Sequence, residues 1–181
     1  MKTLKFIMLA VFSAIMALGM TSCGGYSDKQ GEKLSDKYAD GDLSKEDVAE
    51  AIDVYEEYAV YVEEELNKLL DKVGKNEKKF TTGLDDLKEK IENKWDGVSY
   101  IYDMFADNKT SYEKKEKELG KNNIKRMQKL IEKWNKKFGE TILKKIENKF
   151  DSEVAAEYAD FMSDCYLPVV SVSSNYDYSD Y

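Results

Sequence analysis

At 181 residues the chain is sized for one domain, and its 35% charged residues with a single proline point to well-solvated helices rather than sheet. It contains no histidine, so the side chain most used as general base, proton shuttle and transition-metal ligand near neutral pH is missing. A formal net charge of −8, with Arg126 the only arginine, argues against nucleic-acid and nucleotide partners, because a polyanion is repelled and the two-pronged guanidinium grip is nearly absent.

The N-terminus reads as an export leader over residues 1–22. Lys2 and Lys5 give the positive start, residues 6–20 the apolar core, and Thr21-Ser22 the small residues before Cys23. The apolar run reaches only about 22 Å as a helix, short of the roughly 30 Å hydrocarbon core, so a permanent span is the weaker reading. Met20-Thr21-Ser22-Cys23 resembles the lipobox of bacterial lipoproteins, with methionine where leucine is usual. Gly24-Gly25 and the acidic residue soon after are similar to small lipoproteins of the Bacteroidota. The resemblance implies that Cys23 is diacylated and opens the mature chain. It also implies an anchored protein of the cell envelope, at the outer membrane, facing the periplasm or the exterior. Two or more acyl chains give stable attachment. Ordinary cleavage after Ala17-Leu18-Gly19 is the alternative. Residues 23–43 then form the acylated cysteine and a flexible tether, since 24–35 are polar, glycine-bearing and without apolar period.

Within this stretch Asp36, Asp40, Ser44 and Asp47 can be laid on a twelve-residue calcium loop, with Gly41 at its turn. Tyr38 stands where an oxygen ligand belongs, and Asp47 replaces the longer bidentate glutamate. A glycine turn before a helix cap is the simpler reading, so no metal and no cofactor is expected.

Residues 44–166 are expected to form a helical bundle. Val48, Ile52, Tyr55, Ala59, Val62, Leu66, Leu69 and Val73 alternate in steps of four and three, one narrow stripe asking for a partner helix. Ser44 with Asp47 caps its start and Gly74 its end. A second seam, Leu84 to Phe105 through Ile91, Trp95, Val98 and Tyr102, opens at Thr82 with Asp85. The third runs from Thr110 with Glu113 to Phe150 through Trp134 and Phe138; it is long enough to require a break, first at Gly120 and otherwise at Gly139. A short last helix, capped by Asp151 or Ser152, presents Val154, Tyr158, Phe161 and Cys165 before Pro168. Residues 167–181 are expected to be a mobile tail. The fold class is therefore all-α: an elongated antiparallel bundle of three long helices plus a short C-terminal one.

Few chemistries remain. Cys165 lies on a seam and reads as a buried, inert thiol, with no histidine to activate it. The paired carboxylates and lysine runs read as solvated helix faces. Among 13 tyrosines, Tyr55 and Tyr102 fall on seams, whereas Tyr61, Tyr100, Tyr176, Tyr178 and Tyr181 are expected at the surface. The expectation is a non-enzymatic helical module for protein interaction or self-assembly at the envelope. Capture of a small ligand or glycan through exposed tyrosines is the alternative.

Overall fold

The computed structural model describes residues 28–106 and 111–167, and all their regular structure is helical. The leader, Cys23 and residues 168–181 lie outside the described residues. Helix α1 spans Asp28–Ala39, α2 Lys45–Val73 and α3 Glu77–Glu92; a 3-10 turn, Trp95–Gly97, leads to α4, Ser99–Ala106. Then follow α5, Tyr112–Leu119, and α6, Lys121–Trp134; α6 runs through π-helical turns at Asn135–Ile142 into α7, Leu143–Glu147, and α8 spans Ser152–Asp164.

The central strut is α2. Its start is fixed by a reciprocal cap, in which the Asp47 N–H donates to Ser44 Oγ at 3.1 Å and the Ser44 N–H to the Asp47 carboxylate at 3.0 Å. Gly74, at φ 58, takes the chain out of its other end. The seam residues are buried except Leu69, which is half-buried with Leu70 inside in its place, and Ala51, Val54 and Tyr58 are buried beside them. A two-in-seven stripe serves one neighbour; α2 contacts α1, α3, α4, α5 and α6 and buries a correspondingly broader surface.

Helix α3 starts earlier than the Thr82 cap implied, because the Asn76 side chain accepts from the Lys79 N–H at 2.9 Å and Phe80 is buried against Phe150. It also ends earlier: Asn93 and the Asp96-Gly97 pair turn the chain through short i to i+3 bonds, so the expected single helix becomes α3, the 3-10 turn and α4. Ser111, not Thr110, caps α5 through the Lys114 N–H. Gly120, at φ 89, separates α5 from α6, whereas Gly139 lies inside the uninterrupted π-helical stretch.

Lys133 pairs with Glu56 at 2.5 Å, Lys137 with Glu63 at 2.6 Å and Lys145 with Asn67 at 2.9 Å, flanked by Arg126 on Asp53 and Lys149 on the Leu70 carbonyl. Both numbers rise together, so α6–α7 runs parallel to α2, the relation of the first and third helices in an up-down-up chain. The chain has already returned to the start of α2, where the Asn123 amide donates to the Lys45 carbonyl at 2.9 Å.

The boundaries on either side of the bundle also shift. Residues 28–39, expected as tether, are helical and packed. Leu34 is the one buried side chain of α1, too sparse a signal to read as a period, and the helix is held by packing on the 3-10 turn and by polar pairs to α2 and Lys94. Leu167, assigned to the tail, is buried and closes the body.

Candidate functional site

The acidic calcium-loop candidates are not gathered around a cation position. Asp36 sits within α1 and Asp40 just past its end, while Ser44 and Asp47 are occupied with each other in the cap. The Asp47 carboxylate also accepts from the Lys37 ammonium at 2.5 Å, and this bond, with those from Ser44, holds its pKa far below the ordinary carboxylate value. An ammonium in contact with the best ligand opposes a divalent ion. Among the described residues no group of three or more Asp, Glu, Cys or His side chains is placed to hold a metal. Cys165 is fully buried, and burial pushes its thiol pKa up to about 12, so little thiolate exists near neutral pH.

The tyrosines fall into two sets. Tyr55 and Tyr58, one turn apart on α2, are both buried, and each hydroxyl donates to a carbonyl at the end of α8: Tyr55 to Tyr166 at 2.8 Å and Tyr58 to Cys165 at 2.6 Å. They satisfy carbonyls that a helix C-terminus leaves unpaired. Burial raises the Tyr55 hydroxyl pKa well above normal, which keeps it a donor. Tyr158 does the same within the π-helical stretch, donating to the Phe138 carbonyl at 3.1 Å.

The second set is displayed. Tyr166 has φ 49, the left-handed region that usually takes glycine, and this bend at the end of α8 leaves its ring 36% exposed. Its ring meets Trp95 edge-on at 5.5 Å and Tyr102 at 6.1 Å. Tyr102 is itself 41% exposed, which corrects its assignment to the core, and Tyr100, expected outside, is buried. The cause is the turn at Asp96-Gly97: it resets the helical phase, so Val98, Ile101 and Met104 face inward. Tyr61 is half-buried under the Lys90 and Lys94 ammonium groups, 5.5 and 5.3 Å from its ring centre. Tyr176, Tyr178 and Tyr181 lie outside the described residues.

Trp95, Tyr102 and Tyr166 therefore form one aromatic face, with Lys94, the chain neighbour of Trp95, paired to Asp28. Sequence reasoning missed Tyr166, although a tyrosine two residues before Pro168 marks a helix stop. It also placed Trp95 inside a helix rather than at a turn. The Trp95 indole N–H and Tyr100 hydroxyl are buried with no hydrogen-bond partner among the described residues, uncommon for such groups. Two surface depressions lie elsewhere, one of about 370 Å³ bordered by Lys29, Lys33, Lys37, Asp47 and Glu50, the other of about 340 Å³ by Glu140, Lys144 and Lys145. Neither is lined by a tyrosine. No helix among the described residues is long and apolar enough to cross a membrane. No protein-family model, curated protein or solved structure matches the chain.

Proposed function

We propose that this chain is a lipoprotein of the cell envelope, acylated at Cys23 and held at the outer membrane, whose helical body works without catalysis by docking a protein partner. The observation that carries the docking is the Trp95–Tyr102–Tyr166 face: rings set edge to face and partly exposed, on a backbone held in a conformation costly for tyrosine. Rigid amphipathic rings on a fixed scaffold supply contact area at low entropic cost and are enriched in protein interfaces. The long rods α2, α3 and α6–α7 with the shorter α8 are consistent with an elongated bundle that sets this face at a distance from other envelope components. Ligand capture has less support, since two surface depressions of about 370 and 340 Å³ are bordered mainly by charged and polar side chains and by no tyrosine.

Two measurements test the two halves. Mass spectrometry of the mature product is expected to find Cys23 acylated; an unmodified thiol there refutes the anchor. Crosslinked capture from the native envelope is expected to recover a protein with the wild type and with Cys23→Ser, and to lose it with Tyr102→Ser plus Tyr166→Ser. Equal recovery by the tyrosine variant refutes the docking face.

A further inference from the structure

Helix α1 is tied to the body differently from α2, α3 and α8. Leu34 is its one buried side chain, whereas α3 buries Phe80, Leu84, Leu87 and Ile91. Its other side-chain ties are polar and near the surface, Asp28 with Lys94 at 3.0 Å, Gln30 with Glu50, and Lys37 with Asp47 at 2.5 Å, while the helix, with Gly31 buried, packs closely on one short element only. At its end Gly41 adopts φ 75 with open space around it, a bend between α1 and the capped start of α2. Helix α1 packs on the 3-10 turn Trp95–Gly97 and lays Tyr38 against Tyr100, ring centres 5.5 Å apart. Trp95 and Tyr100 are the two residues beneath it whose buried polar atoms lack a partner among the described residues. Water that reaches the Trp95 N–H and the Tyr100 hydroxyl hydrates both groups and so lowers the cost of opening this region.

We infer that α1 is a releasable strap: it detaches as a unit, pivoting at Gly41, while the bundle from α2 to α8 stays folded, and its release uncovers Trp95 and Tyr100 beside the exposed Tyr102 and Tyr166. The covering role rests on the docking face proposed above; the opening does not. Because α1 lies between Cys23 and the bundle, release also turns a helix about 18 Å long into chain that reaches about 40 Å. A pull on the lipid anchor therefore favours the open strap, and an open strap presents the larger aromatic face.

Hydrogen exchange read by mass spectrometry on the intact exported chain, acylated or as Cys23→Ser, separates the possibilities. Amides of residues 32–39 are expected to exchange about 100-fold faster than those of residues 52–66, and faster still at high salt, which screens the polar ties. A common rate for both segments overturns the strap. Leu34→Asp is expected to release α1 with the thermal transition of the bundle retained and tryptophan emission shifted to the red; loss of that transition overturns independent release. In partner capture Leu34→Asp is expected to recover more than wild type. Unchanged capture beside fast α1 exchange overturns the covering role, whereas capture indifferent to Tyr102→Ser plus Tyr166→Ser overturns the docking reading itself.

Discussion

The two halves of α2 meet two kinds of packing. Toward Val73 its neighbours are apolar: Phe80 stacks on Phe150 at 4.9 Å, and Leu84, Ile146 and Val154 fill the space around them. From Lys45 to Tyr58 the buried residues include Tyr55 and Tyr58, and the contacts run through hydroxyls as well as apolar side chains. The apolar half asks only for size and spacing. The tyrosine half also asks that each buried hydroxyl find an acceptor, because an unpaired polar group inside costs about as much as a missing hydrogen bond. Tyr55 and Tyr58 meet that demand on the carbonyls ending α8. Tyr100 does not, and it lies where the lightly held α1 packs.

The largest effect is expected where rings pack without hydroxyls, on α6. Trp134 is 1% exposed and stacks on Phe138 at 5.3 Å, so Trp134→Ala should cost about 3–5 kcal/mol in denaturant unfolding. Its indole N–H has no partner among the described residues, so Trp134→Phe, which keeps an aromatic ring, loses no hydrogen bond, leaves a smaller void and should cost clearly less than Trp134→Ala. Tyr58→Phe keeps the ring and its volume, yet strips the donor from the Cys165 carbonyl and should cost about 1–3 kcal/mol. If Tyr58→Phe proves as mild as an exposed substitution, the tyrosines pack as plain hydrophobes and the distinction between the halves collapses.

The same contrast marks how far the amino-acid sequence could be read. The apolar seams of α2 and α8, their Ser44 and Asp151 caps and the break at Gly120 follow from local spacing and capping chemistry. The 3-10 turn was also written locally, in Asn93 and Asp96-Gly97, but a seam with apolar residues on both sides of it masked the phase change that exchanges Tyr100 and Tyr102. Helix α1 was not legible, since one buried leucine among charged residues has no period; its docking depends on Glu50, Asp47 and Lys94, remote in the chain.

A smaller effect is expected at the junction of α1 and α2. The Lys37 ammonium, then the Ser44 hydroxyl and N–H, hold Asp47 well below its ordinary value near 3.8. A depressed carboxylate contributes stability that is complete above the unfolded value and is lost as pH falls below it. Thermal unfolding followed from pH 6 down to about pH 2 should therefore show a loss below about pH 4, to which Asp47→Asn, already lacking the charge, does not contribute. Equal slopes for the two proteins would mean that the cap and the Lys37 tie contribute nothing beyond the polar side chain itself.

The smallest effect on stability is the most informative about the aromatic face. At φ 49 the Tyr166 backbone costs about 1–2 kcal/mol relative to an ordinary conformation, and glycine escapes most of it. Its ring returns a similar amount through the edge contacts with Trp95 and Tyr102, about 0.5–1.5 kcal/mol each. Tyr166→Gly loses both and should leave stability within about 1 kcal/mol of wild type, while Tyr166→Ala keeps the strain, loses the ring and should be the less stable of the two. If Tyr166→Gly melts with wild type yet fails to capture a partner, the strain is borne for display of the ring. A Tyr166→Gly protein that is clearly destabilised instead makes the ring a closing piece of the tyrosine core, and the contrast between a self-satisfied interior and a presented face would have to be redrawn at Tyr102.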